Sequence, residues 1–272
     1  APTIRDAGSW RLYLFPKIVS PIPNLYVDDN GDFCAATGTL LYRNTVGESA
    51  LKRLLADHRG AGIDWTEIFG QYAIILWTNG KLELVGDPVG TYPVWYDDAL
   101  TAISSSFLAI ASSVETLSID PQCVYEYVFQ GTTYGDRTLF REIRLHAARD
   151  SLALGDTVTS IPCHKAPATD VINAPIEEHL ERNLANLHRY YDAIAACFGN
   201  GIDTALSGGY DSRLTRLNTR TSPDSRRSRK TALPRRSTAT FILSMAIRPT
   251  GCSTMGRTGR PGFPAVRTER WR

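Results

Sequence analysis

The stretch Phe69–Asp98, FGQYAIILWTNGKLELVGDPVGTYPVWYDD, decides the fold class. Two β-prone runs, Tyr72–Trp77 and Lys81–Val85, are separated by Asn79-Gly80, a dipeptide suited to the positive φ that a tight hairpin needs at both central positions. The two strands are therefore expected to pair antiparallel. Asp87, with Pro88, is read as a structural residue closing the next turn, and Pro93–Tyr96 begins another strand.

The same pattern extends in both directions. Arg11–Phe15, Gly38–Tyr42 and Ala102–Ser106 are further β-prone runs, and SLALGDTVTSI gives a last hairpin turning at Gly155-Asp156. Helices interrupt them. In ESALKRLLADH the residues Leu51, Leu54, Leu55 and His58 share one face, and in FLAIASSV so do Phe107, Ile110, Ala111 and Val114. A third helix starts at Asp120-Pro121, a capping carboxylate followed by proline at the first helical position. Residues 164–175 lack periodicity and read as a connection. After them Ile176, Leu180, Leu184, Leu187, Tyr191, Ile194 and Phe198 form one apolar stripe on a helix of more than six turns, which needs a partner surface. Gly199–Gly201 stops it, and IDTAL runs as a short strand into LSGGYDSRL, Leu206–Leu214.

At 272 residues with 43% hydrophobic content, the chain has ample material for a core. Its formal charge of +2 conceals a split: residues 1–212 carry 15 Lys+Arg against 26 Asp+Glu, a net −11, whereas residues 213–272 carry 15 against 2, a net +13. The five cysteines, Cys34, Cys123, Cys163, Cys197 and Cys252, show no CxxC spacing and read as reduced thiols. No apolar run approaches membrane-spanning length and no leader pattern is present, so a cytoplasmic protein is the default expectation. With Ala1 and no methionine at the start, the N-terminus is read as processed or incomplete.

In Leu206-Ser207-Gly208-Gly209-Tyr210-Asp211-Ser212 a strand ends, two glycines permit a tight turn, and a helix would begin near Asp211. Backbone N–H groups and the positive helix end then converge on one point, which suits a phosphate or pyrophosphate. Ser207 and Ser212 add hydroxyls. Asp211 beside phosphates is repulsive unless it caps the helix or faces Mg²⁺, and is the candidate metal ligand. The absence of a Gly-Lys-Ser/Thr ending separates the loop from the Walker A type.

The SGGxDS string resembles the PP-loop of ATP pyrophosphatases, which activate a carboxyl, carbonyl or ureido oxygen by adenylation. Phe69–Asp98, AISSSFLAIAS and TLFREIRLHAARDSLAL resemble, in order and spacing, segments of asparagine synthetases and their relatives. The resemblance covers about residues 30–213. It implies an α+β N-terminal-nucleophile-hydrolase-like sandwich (αββα), a class II glutamine amidotransferase-like domain, over residues 1–163. Residues 164–212 would be the linker, the long helix and the start of an α/β ATP-binding domain with a parallel sheet. The cofactors implied are ATP, bound by Leu206, Ser207, Gly208, Gly209, Asp211 and Ser212, and Mg²⁺ at Asp211. The partners implied are small molecules: ATP, a carboxylic acid and an amine donor. No membrane partner is implied, and a homodimer stays open.

Departures from the family pattern bear on activity. The family's glutaminase nucleophile is a first-residue cysteine with a free α-amino group as base. Here Ala1-Pro2 stand instead, and Cys34 reads as a core strand residue. The glutamine-binding Asn-Gly-Glu becomes Thr37-Gly38-Thr39, and Glu48 either stands where the family has an aspartate or, the commoner case, is a solvated acid at a helix start. No catalytic residue is assigned, and glutamine hydrolysis is not expected.

After Leu214 the apolar spacing fails. Residues 213–272 hold 14 Arg to one Lys and 16 Ser+Thr, against 11 Arg to four Lys in the body. The abrupt change inside the loop's own helix points to a reading-frame shift in a GC-rich gene rather than to a nucleic-acid-binding arm, for which aromatic interleaving is missing. The tail is expected to be disordered or non-native, with Phe241–Ile247 its one candidate buried element. The overall expectation is an asparagine-synthetase-like, ATP-dependent amide-forming ligase, incomplete and inactive as the isolated chain. The alternative is a non-enzymatic scaffold on a degenerate amidotransferase fold.

Overall fold

The computed structural model describes residues 1–17, 22–148, 150–163, 174–198, 209–210 and 245–249. In chain order its strands and helices begin with β1 (Thr3–Ala7), β2 (Trp10–Leu14), β3 (Leu25–Val27), β4 (Phe33–Tyr42), β5 (Thr45–Val46), α1 (Glu48–Arg59), β6 (Ile68–Thr78), β7 (Lys81–Gly86), β8 (Trp95–Asp97) and β9 (Ile103–Ser104). They continue with α2 (Phe107–Ala111), α3 (Pro121–Gln130), β10 (Ile143–Leu145), β11 (Asp150–Leu154), β12 (Val158–Pro162), α4 (Ile176–Phe198) and β13 (Met245–Pro249). Every pairing among the described strands is antiparallel. The chain divides into two units, one of residues 1–15, 93–147 and 244–272, the other of residues 16–92 and 148–243. The segment IDTAL, expected as a strand, lies outside the described residues, and no parallel sheet occurs among those that are described.

The second unit is built outward from the β6–β7 hairpin. Asn79 and Gly80 take φ of 52° and 75°, so both turn positions are left-handed and Thr78 pairs with Lys81. The sheet order is β12-β11-β7-β6-β4-β3, with β5 pairing the end of β4. Helix α1 covers one face: Leu51, Leu54 and Leu55 share a cluster with Cys34, Ala36, Tyr72, Ile74 and Leu76. The alternate residues Phe33, Ala35, Ala73, Ile75 and Leu84 are buried as well. That explains why YAIILW is a continuous apolar run and not an alternating one.

Two surface clusters fix the ends of this sheet. Arg59, in the last turn of α1, donates to both Asp28 and Asp32, and Asp28 Oδ1 also accepts from the backbone N–H groups of Asn30 and Asp32. A guanidinium therefore stands where an acidic loop would otherwise need a dissolved cation. At the other end α4 lays Tyr190 against Phe69, ring centroids 5.8 Å apart, while Arg189 reaches Glu67 and the Thr66 carbonyl.

Helix α4 has the expected extent, about 34 Å from its 23 residues. Its apolar stripe is only partly used. Ala193 is buried and Leu187, Tyr190 and Ile194 are half-buried, whereas Ile176, Leu180 and Leu184 remain exposed. The helix thus meets the described sheet through its C-terminal half alone.

The first unit has a six-stranded sheet of order β1-β2-β13-β9-β8-β10. Trp95, Phe107 and Phe140 pack around Ala102, Ile110 and Ile143 in its core. Asp120 caps α3 by accepting from Gln122 and Cys123 N–H groups, and Gly131 ends it at φ 76°. The predicted FLAIASSV helix is shorter, five residues, and at its end the Ser112 and Ser113 hydroxyls donate to the Leu108 and Ile110 carbonyls, which also accept the backbone N–H groups of Ser112, Ser113 and Val114.

Residues 213–272 are expected to be disordered or non-native, with Phe241–Ile247 the one candidate buried element; the disorder expectation is corrected for Met245–Pro249, which overlap that element and form a strand inside the sheet, pairing with Trp10–Leu14 on one side and Ile103–Ser104 on the other. The physical reason is that β2 and β9 each present a row of unpaired backbone groups, and the apolar end of FILSMAI lets a strand satisfy both rows.

Candidate functional site

The polar centre of the second unit lies where β4, β6 and β7 converge on the turn at Asp87. This carboxylate, 1% exposed, accepts from three backbone N–H groups: Val89 at 3.1 Å, Thr91 at 3.0 Å and Tyr92 at 2.7 Å. Gly90, at φ 71°, lets the chain wrap around it. Asp87 therefore folds the loop onto itself and aims Tyr92 back at β4, which agrees with its reading as a structural residue.

Tyr92 Oη lies 2.6 Å from Thr37 Oγ1, and its ring covers Gly38. Gly38, at φ 83°, has no room for a side chain: a Cβ would fall 2.1 Å from the Gln71 carbonyl oxygen and 2.9 Å from Tyr92 Cδ2. Across the ladder Gly70, at φ 115°, is equally constrained, since a Cβ there would fall 2.0 Å from the Thr39 carbonyl oxygen. Two positive-φ glycines on neighbouring strands thus leave no room for a side chain against the facing backbone beside the Thr37–Tyr92 pair.

Tyr72 pairs with Gly38 in the β4–β6 register and is fully buried. Its hydroxyl is the one buried side-chain polar atom among the described residues without a hydrogen-bond partner. Burial, and then the negative charge of Asp87, push this phenol well above its ordinary range, so it is held neutral. The cluster offers hydroxyls that donate and accept hydrogen bonds, but no nucleophile beside a base.

Cys34 does not supply one. It is fully buried on β4, and burial pushes its thiol upward, which keeps it protonated. Glu48 is an exposed first-turn residue of α1, as read from the sequence. Thr37 is buried and engaged with Tyr92, while Thr39 is exposed.

Of the proposed phosphate loop, Gly209 lies in a bend and Tyr210 is helical, both exposed. Leu206, Ser207, Gly208, Asp211 and Ser212 lie outside the described residues. No group of three or more His, Cys, Asp or Glu suited to a metal ion occurs among the described residues. Among them, too, no helix is long and apolar enough to cross a membrane.

Sequence reasoning passed over Tyr72, Gln71 and Tyr92. The available signal was Gly38 and Gly70, isolated glycines inside β-prone runs, which mark a bulge or a close backbone approach. No family model matches the chain, and no curated protein matches it.

Proposed function

We propose that the chain is built on the plan of an asparagine-synthetase-like, ATP-dependent amide-forming ligase whose amidotransferase portion no longer releases ammonia from glutamine. The observation that carries this reading is the conjunction of two features in the order the resemblance implies. One is the Asp87 turn seating Tyr92 against Thr37 and Gly38. The other is the sequence SGGYDS, Ser207–Ser212, which comes after α4 in the chain. Ala1-Pro2 in place of a first-residue cysteine, and Thr37-Gly38-Thr39 in place of Asn-Gly-Glu, support the loss of glutaminase chemistry.

In the reaction class concerned, a carboxylate oxygen attacks the α-phosphorus of ATP and pyrophosphate leaves. An amine nitrogen then attacks the acyl carbon, AMP leaves, and the amine proton passes to solvent. Ser207, Gly208, Gly209 and Ser212 would cradle the pyrophosphate portion through backbone N–H groups and hydroxyls. Asp211 would hold Mg²⁺, which neutralises phosphate charge; as one carboxylate it suits an ion whose remaining ligands are phosphate oxygens and water. Residues that would bind the acid substrate are not identifiable after Arg213, so the isolated chain is expected to bind nucleotide without turnover.

Calorimetric titration with Mg-ATP tests this reading. Binding at millimolar strength or tighter, abolished by Asp211→Ala, is the expected result; no binding by the intact chain overturns it and favours the scaffold. One observation speaks for that second reading, namely the unusual exposure of aromatic side chains on α3.

A further inference from the structure

The first unit holds a cavity of about 190 Å³ lined from β8, α2, α3, β10 and the segment that joins α3 to β10. Trp95, Phe107 and Tyr127 contribute aromatic rings to it, and Leu139 and Leu145 add aliphatic wall. Trp95 and Phe107 meet edge to face, their ring centroids 5.8 Å apart. Gly131 and Thr132 of the lining are exposed, so the cavity is reached from solvent. Arg137 is the one lining residue that carries a formal charge.

Arg137 is held in place before any ligand arrives. Its carbonyl accepts from the Thr133 hydroxyl at 2.6 Å, and its backbone forms a bridge with Arg144 of β10. Its Nη2 donates to Glu126 Oε1, also at 2.6 Å, and that carboxylate is fixed in turn by Gln122 and by the Tyr134 N–H. The Glu126 side chain is 8% exposed and stands outside the lining, whereas the Arg137 side chain is 35% exposed and forms part of it. The ion pair uses one of the guanidinium's five N–H donors, which leaves others to meet a planar acceptor such as a carboxylate. A donor oriented in advance spares the ligand part of the ordering cost of binding.

The lining narrows the choice of ligand. The Thr138 hydroxyl is engaged with the Phe140 and Ile143 carbonyls and with the Phe140 N–H, as Thr133 is with Arg137, so the guanidinium is the strong polar contact left. A cation would meet that guanidinium with no carboxylate beside it in the lining. A compact dianion such as phosphate would meet a charge that Glu126 already offsets, and would leave the rings uncovered. A monoanion with a flat apolar body answers both the rings and the guanidinium. A cavity of roughly 150 Å³ suffices to hold a benzene ring, so this one takes a single ring with a short acidic arm.

We propose that this cavity binds a small aryl carboxylate, its ring against Trp95, Phe107 and Tyr127 and its carboxylate on Arg137. The proposal stands apart from the ligase reading, since it is tested without nucleotide.

Titration of the full chain with phenylacetate, followed by ligand-observed NMR, tests it. Saturable binding with a dissociation constant of roughly 1 mM or below is expected, with phenylethanol and acetate each weaker by about tenfold or more and phenethylamine weaker still. Arg137→Lys keeps a charge opposite Glu126 but loses the fork, and is expected to weaken phenylacetate about tenfold while leaving phenylethanol unchanged. Thr132→Trp, at an exposed lining position, is expected to abolish binding of both at unchanged circular dichroism. Absence of saturable phenylacetate binding at roughly ten times the expected constant overturns the proposal. So does equal binding of the acid, the alcohol and the amine, which would leave Arg137 without a role, or acetate binding as tightly as phenylacetate, which would leave the rings without one. Phenylacetate binding that either variant leaves unchanged places the ligand elsewhere and overturns it too.

Discussion

Thr37 and Tyr92, 55 residues apart in the chain, share a hydrogen bond of 2.6 Å between their hydroxyls, and the glycine next to Thr37 is held under the tyrosine ring. The bond ties β4 to the loop that Asp87 folds. Tyr92→Phe removes only the hydroxyl and is expected to cost about 1 kcal/mol, a fall of about 2–4 °C in Tm. Gly38→Ala forces a methyl into the Gln71 carbonyl and is expected to cost on the order of 3 kcal/mol or more. Urea unfolding of both variants measures the difference, and equal losses would contradict the steric account.

The Glu126 carboxylate is held below the usual carboxylate range, first by the Tyr134 N–H, then by the Gln122 amide and by Arg137. A depressed folded-state value contributes stability that is present above the unfolded value of roughly 4.3 and is lost as pH falls through the folded one. Asp28, bridged by Arg59, acts with the same sign. Glu126→Gln is expected to lower the unfolding midpoint at neutral pH and to lose less than the intact chain on acidification to about pH 3. Parallel pH profiles for the two proteins would remove Glu126 from the acid limb.

Removal of residues 213–272 takes away β13 and leaves β2 and β9 with open edges. Loss of these ladder bonds is expected to lower Tm by roughly 5–10 °C and to promote aggregation. Differential scanning calorimetry of the truncated chain decides this; an unchanged Tm would mean that the strand contributes nothing.

Cys34 is buried and protonated, so alkylation mapped by mass spectrometry is expected to modify it only once denaturant unfolds the chain. Rapid labelling of Cys34 in the native chain would instead reveal a reactive thiol on β4.

The parts of this fold that could be read in advance were those whose signal is local. Asn79-Gly80 specifies its hairpin through the conformations those two residues adopt, and Asp120-Pro121 specifies a helix start through a cap and a missing N–H. The short strands β3 and β10 were passed over because three residues carry no periodicity; their pairing with Phe33–Ala35 and Trp95–Asp97 is what makes them strands. The Thr37–Tyr92 contact was illegible for a related reason, since no spacing rule connects residues brought together only by the Asp87 turn. Of the proposed phosphate loop, Gly209 and Tyr210 alone fall among the described residues.

The pairing of Leu14 with Met245 has a consequence for how the molecule comes into being. A ribosome delivers β2 near the start of translation and β13 more than two hundred residues later, so the middle position of that sheet is filled long after its flanks exist. Throughout that interval the nascent chain holds a slot shaped for one strand, open to any extended peptide that arrives first. Correct folding of this unit is therefore a race against time as much as a matter of energy.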